Sequence, residues 1–177
     1  MSHEIRTPMN GVLGIAELLL ATPLAEQQRS RLQTLYRSGQ SLLDVINDIL
    51  DFSKIEAGKL ELRESDFDLR AMLRDVLDAF AATAAAKGLA LSSRLGADVP
   101  AGLHADQARL RQVLTNLIGN AVKFTEAGRV VVSVERLDDQ HLRFAVQDTG
   151  VGLAAEERAR VFDAFAQADV SHTRRHG

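Results

Sequence analysis

The apolar residues of the first 58 positions fall at steps of three and four, in two runs separated by a proline. In the first run Ile5, Met9, Val12, Leu13, Ala16, Leu19 and Leu20 share one helical face, and Ile15 and Leu18 widen it. Pro23 pushes the residue before it out of the helical region, so this helix ends near residues 21–23. The second run, Leu32, Leu35, Gly39, Leu42, Ile46, Ile49 and Ser53, alternates three and four like a heptad seam. It extends to residues 57–58, where Gly58 suits a left-handed cap. Two long helices joined by a short turn make an antiparallel hairpin. Such a hairpin leaves one apolar face bare, and a second copy covering that face gives a dimeric four-helix bundle. Residues 1–58 are expected to be half of one.

The pattern then changes. Residues 59–64 alternate polar and apolar, Asp66 and Asp68 are candidate helix caps, and residues 69–87 predict a helix closed by Gly88. Residues 89–95 predict a strand, and residues 96–106 a loop containing Pro100 and His104. Residues 108–124 predict a helix with Leu110, Val113, Leu114, Leu117, Ile118 and Ala121 on one face. Residues 129–137 and 141–148 read as a strand hairpin turning at residues 138–140, which puts His141 in a strand. A short helix over 154–165 follows. Helices mixed with mostly antiparallel strands make residues 59–177 an α+β layered domain.

Composition narrows the function. A length of 177 residues allows one domain or two small ones. A net charge of -3 argues against a nucleic-acid binder. With no cysteine there is no disulfide framework, thiol nucleophile or thiolate zinc site. No apolar run reaches the ~18 residues of a membrane span, and the first residues do not read as a secretory signal. No membrane contact is expected from this segment.

Four clusters carry chemistry. The first is Ser2-His3-Glu4-Ile5-Arg6-Thr7-Pro8. A zinc-protease reading of His3-Glu4 needs a second histidine at position 7, which is Thr7, so it fails. Pro8 removes the amide that would bond the Glu4 carbonyl, so the helix is expected to bend just past His3. An imidazole beside a carboxylate is a usable nucleophile, although the same pair also occurs as ordinary helix surface. The second cluster places Asn116, Asn120 and Lys123 on one helical face. Two amides and an ammonium there can hold a hydrated magnesium ion and phosphate oxygens, or simply cap and solubilise the helix. In the third, Asp148-Thr149-Gly150-Val151-Gly152 follows an apolar strand. Its glycines admit a ligand close to the backbone and its carboxylate accepts from an amine, though such turns are common. The fourth, Val161-Phe162-Asp163-Ala164-Phe165, reads alone as core aromatics at helical spacing.

In this order the four clusters resemble the sensor histidine kinases of two-component systems, in the form common among hybrid kinases. Residues 2–10 resemble the family's H box, 114–125 its N box, 148–152 its first glycine box and 161–167 its F box, so the resemblance covers nearly the whole chain. It implies a dimerisation and histidine phosphotransfer domain over 1–58. It also implies a catalytic ATP-binding domain over 59–177, an α/β sandwich of the gyrase, heat-shock-90 and histidine-kinase type. ATP and Mg2+ are the implied cofactors. His3 would be the phosphoacceptor and Glu4 its base, while Thr7 would help water attack a phosphorylated regulator, a phosphatase activity. Asn116, Asn120 and Lys123 would face the triphosphate, with Asn120 as the metal ligand. Asp148 would read the adenine amine, Gly150 and Gly152 would admit the base, and Phe162 and Phe165 would pack the foot of a lid.

The implied partners are a second copy, forming a homodimer, and the receiver domain of a response regulator, whose aspartate takes the phosphoryl group. The family pattern starts a couple of turns earlier and runs on into a second glycine-rich box. The chain is therefore expected to be a truncated, cytoplasmic piece of a larger kinase anchored at the bacterial inner membrane, with weak activity by itself. His172 and His176 are four apart and are read as a frayed lid end. Two alternatives stand beside this. One is an ATPase of the same fold acting as a conformational clamp, which would lack an acceptor histidine on a helical hairpin. The other is a catalytically weak dimerisation module, against which Asn120, Asp148 and Gly152 speak.

Overall fold

The computed structural model describes residues 2–154 and 158, with side chains from Ile5 onward, and divides into two units, Met1–Glu61 and Leu62–Gly177. In the first unit, helix α1 spans Ser2–Leu20 and helix α2 spans Glu26–Glu56. α1 runs through Pro8 without interruption. A proline there removes one ladder bond, to the Glu4 carbonyl, and the bonds on either side carry the helix past it. The turn between the helices is held by side chains. Arg29 donates to the carbonyls of Leu20 (3.1 Å) and Thr22 (3.3 Å), satisfying acceptors that the end of α1 leaves open. Gln28 Oε1 accepts from the Ala25 amide at 3.1 Å and closes the start of α2.

Gly39 is a point of close approach between the helices. A Cβ added there would lie 2.8 Å from Leu13 Cδ2, so the absent side chain is what seats Leu13. Lower down, Arg6 donates to Asn47 Oδ1 at 3.0 Å. Ala16 is buried, whereas Val12, Ile15, Leu18, Leu42, Val45 and Ile49 are exposed. A hairpin of two helices has only one mutual face, and the rest of its apolar stripe stays bare. Gly58, at φ +63°, follows the end of α2 in the left-handed region.

In the second unit the order is β1 (Ser65–Asp68), α3 (Leu69–Ala86), β2 (Ala90–Leu95), β3 (Gly102–Ala105), α4 (Gln107–Phe124), β4 (Arg129–Arg136) and β5 (Leu142–Asp148). A three-stranded sheet has the order β2-β4-β5, with β2 parallel to β4 and β4 antiparallel to β5. A separate antiparallel pair joins β1 to β3, Phe67 opposite Leu103. This second sheet corrects the expectation of a loop over 96–106. Strands of four residues are too short to display an alternation, and Pro100 and the neighbouring aspartates mimic loop punctuation.

The aspartates divide their roles. Asp68 caps α3 by accepting from the Ala71 amide at 2.9 Å. Asp66 instead lies in β1 and meets His104 Nδ1 at 2.8 Å. His104 thus stands in β3, and His141 lies one residue before β5, the reverse of the expected loop and strand. Asp106 caps α4 through the Arg109 amide (3.0 Å) and also accepts from the Arg63 amide (2.8 Å). Those amides, Arg63 first, hold its carboxyl below the usual carboxylate range.

α3 and α4 share one core with the large sheet. Leu69, Met72, Leu73 and Val76 meet Leu114, Ile118, Ala121 and Val122 over Val130, Val132 and Val134. The face expected on α4 is rotated by this packing. Leu114 and Ile118 are buried, but Val113 (55% exposed) and Leu117 (44% exposed) lie outside. Among the described residues no helix is long and apolar enough to cross a membrane. Of the helix expected over 154–165 only residues 154 and 158 are described, the Arg158 amide donating to the Ala154 carbonyl at 3.0 Å.

Candidate nucleotide site

The side of α4 turned from the core carries Asn116, Asn120 and Lys123, all exposed. Their steps of four and three keep them in one row, each two positions along from buried Leu114, Ile118 and Ala121 and so on the opposite side of the helix. Val113, Leu117 and Phe124 flank the row, so the polar groups stand on an apolar wall. Lys123 Nζ lies 5.0 Å from the Phe124 ring centroid, a cation–π distance.

β5 delivers the second part of the site. At its end, Asp148 Oδ1 accepts from the Gly150 amide at 2.8 Å, which fixes the carboxylate and leaves Oδ2 with no bonded donor among the described residues. Thr149 faces the other way. Its hydroxyl accepts from the Arg129 amide (3.0 Å) and reaches the Ala127 carbonyl (3.2 Å), pinning the turn to the start of β4. Gly128, at φ +109°, has room for no side chain against Thr149 Oγ1.

The two parts touch through backbone. A Cβ at position 150 would lie 2.6 Å from the Phe124 carbonyl oxygen and 2.9 Å from Asp148 Oδ1, so only glycine lets the turn rest on the end of α4. Gly152 has open space around it, and its φ of +69° is the reason for glycine there. Between the two parts lies Thr125, fully buried, whose Oγ1 has no partner among the described residues.

The end of α4 that carries Lys123 is thus brought against the turn that carries Asp148 and Gly150, with Asn120 and Asn116 further back along the same side of the helix. His3 and Glu4 lie in the first turn of α1, and their side chains lie outside the described residues. Thr7 follows one turn on and is exposed. Phe162 and Phe165, and His172 and His176, also lie outside the described residues. Sequence reasoning assigned no role to Thr125 or Thr149. A threonine has no spacing that marks it; Thr149 acts through the backbone of Arg129 and Ala127, distant in sequence, and Thr125 stands out only by its burial.

The donors suit an adenine nucleotide. A fixed carboxylate with one free oxygen, a backbone shelf without side chains and an unsatisfied buried hydroxyl match a flat, polar-edged base. A row of amides ending in an ammonium matches phosphates. Among the described residues there is no group of three or more His, Cys, Asp or Glu side chains able to hold a metal. The row therefore fits magnesium only as an ion carried in by phosphate oxygens, with few protein ligands. A cavity of about 530 Å³ on the small sheet, lined by Asp66, Phe67, Leu103 and His104 among others, includes none of these residues.

Residues 1–58 match the His Kinase A (phospho-acceptor) domain, and residues 105–177 match the histidine kinase-, DNA gyrase B- and HSP90-like ATPase family. Signal transduction histidine-protein kinase BarA of Escherichia coli K12 is 48% identical over 100% of this chain, which covers 20% of BarA. Sensor protein GacS of Pseudomonas syringae pv. syringae is 49% identical, again over 100% of this chain and 20% of the relative. The chain thus spans about a fifth of the length of these curated relatives. Full-length ShkA, crystallised in complex with AMPPNP, matches 94% of this chain and 36% of its own at 44% identity, with a TM-score of 0.78. With a phospho-acceptor domain and an ATPase domain in tandem, the chain belongs to the sensor histidine kinases of two-component systems.

Proposed function

We propose that this chain binds ATP in its second unit and transfers the γ-phosphoryl group to His3, from which it passes to an aspartate of a response-regulator receiver domain. The observation that carries the reading is the contact between the turn holding Asp148 and the end of the helix holding Asn116, Asn120 and Lys123. It joins a base reader to a phosphate row within one rigid core. The AMPPNP complex of ShkA supports a nucleotide of this class.

In this mechanism Asp148 Oδ2 accepts a hydrogen bond from the adenine amine while Gly150 keeps Oδ1 occupied. Gly150 and Gly152 let the base lie against backbone, and Phe162 and Phe165 would pack the foot of a lid. Asn116 and Lys123 orient the phosphates, and the Lys123 ammonium offsets their charge. Asn120 would hold magnesium, which when bound neutralises charge on the phosphate oxygens. Glu4 accepts the imidazole proton as a His3 nitrogen forms its bond to phosphorus and the bond to the ADP oxygen breaks. Thr7 would orient water for the reverse task, dephosphorylating the regulator.

The exposed stripe of Val12, Ile15, Leu42, Val45 and Ile49 supports a homodimer through residues 1–58. The second unit, from residue 59 in this reading, acts as the catalytic domain. Use of ATP places the segment on the cytoplasmic side in an inner-membrane parent. The test is labelling with γ-labelled ATP. Label that is acid-labile, base-stable and absent in His3→Gln is expected, and label retained in that variant refutes the assignment.

A further inference from the structure

The last turn of α4 has carbonyls with no amide to receive. Thr125 N donates to the Ala121 oxygen, and that bond ends the helical ladder. The next oxygens, those of Val122 and Lys123, are served by a side chain from elsewhere. Lys87 Nζ donates to Val122 O at 2.8 Å and to Lys123 O at 2.9 Å, and reaches Thr125 O at 3.4 Å. An ammonium has three donors and no acceptor, so one group can serve three carbonyls at the negative end of a helix.

The ammonium is delivered from a fixed point. Lys87 is the C-cap of α3, its amide bonded to the Thr83 and Ala84 oxygens. Gly88 follows at φ +67°, and Leu89 N returns to the Ala84 oxygen. Sequence alone marks this lysine only as a basic residue before a helix-ending glycine.

The backbone that Lys87 grips is also the shelf of the nucleotide site. Lys123 leaves from it toward the phosphate row, and Gly150 rests on the Phe124 oxygen. We propose that Lys87 is a positioning residue for the adenine nucleotide. It ties the end of α3 to the end of α4, and so sets Lys123 and the seat of the turn that carries Asp148 without itself touching the ligand. The inference rests on the nucleotide reading above.

The experiment compares the full-length protein with Lys87→Met, which keeps the stem and loses the donors, and Lys87→Arg, which keeps the cation. ATP affinity with magnesium is measured by calorimetry, and backbone stability by amide hydrogen exchange. Lys87→Met is expected to weaken ATP roughly tenfold, the factor of about 1.4 kcal/mol. Faster exchange should be confined to residues 122–125 and 149–150 while the amides of β4 keep native protection. Lys87→Arg should recover most of the affinity. ATP affinity unchanged in a folded Lys87→Met variant overturns the proposal and leaves the nucleotide reading standing, as does an Arg variant no better than Met. A wild-type protein that binds no ATP overturns both.

Discussion

Replacing Asp148 by asparagine keeps the side chain's shape and exchanges one oxygen for an amino group. The structure fixes which atom changes its role. Oδ1 is held by the Gly150 amide at 2.8 Å, a bond that the asparagine carbonyl can keep. The new amino group must then take the place of Oδ2 and meet the adenine amine donor to donor. A hydrogen bond to a charged group contributes about 1.5–3 kcal/mol, so the loss corresponds to roughly a tenfold to hundredfold weaker ATP complex. Guanine carries an oxygen at the same edge, and an amino group at position 148 can donate to it. Relative affinity for GTP should therefore rise. Calorimetric titration of both variants with ATP and GTP in magnesium reads this directly. The fold should be nearly unaffected, because the Gly150 bond and the packing on Phe124 persist. Equal ATP affinity in the two proteins would refute the role of Asp148. Equal loss of both nucleotides with a lowered melting temperature would show that the carboxylate holds the turn rather than reads the base.

Three further outcomes are expected. Ile118→Ala removes a fully buried side chain between α3, α4 and β4 and should cost about 2–5 kcal/mol in chemical denaturation; a cost under about 1 kcal/mol would contradict the packing described. Leu42→Glu puts a charge on the exposed seam of α2 and should turn a dimer into a monomer in sedimentation without loss of helix by circular dichroism; an undisturbed dimer would remove the seam from the interface. His104 has its pKa raised above 6.5, first by the hydrogen bond its ring donates to Asp66 and then by the Asp66 and Glu64 charges. Its contribution to stability is therefore fully present below pH 6.5 and is lost as pH rises through the folded midpoint. In an NMR titration Asp66→Asn should lower that midpoint, and an unmoved midpoint would show that the pair does not set it.

The sequence by itself determined the helical hairpin and most elements of the second unit, because periodicities of 3.6 and 2 survive wherever an element is long enough to repeat them. It also singled out Asn116, Asn120, Lys123, Asp148 and Gly150 as candidates, since each belongs to a compact local motif. The short pair β1–β3 was invisible for the opposite reason. Four residues carry no period, and the pairing of Phe67 with Leu103 joins positions far apart in the chain. The same limit explains the rotation of α4. Its apolar residues cover a wide arc, and only the positions of α3 and β4 decide that Leu114 and Ile118 face inward while Val113 and Leu117 do not. Tertiary structure alone decided how the site is held. Gly150 against the Phe124 oxygen, Thr149 on the start of β4 and Lys87 on the end of α4 are each contacts to a backbone carbonyl or amide. Every residue presents those same groups, so no side-chain pattern in the sequence can name the partner.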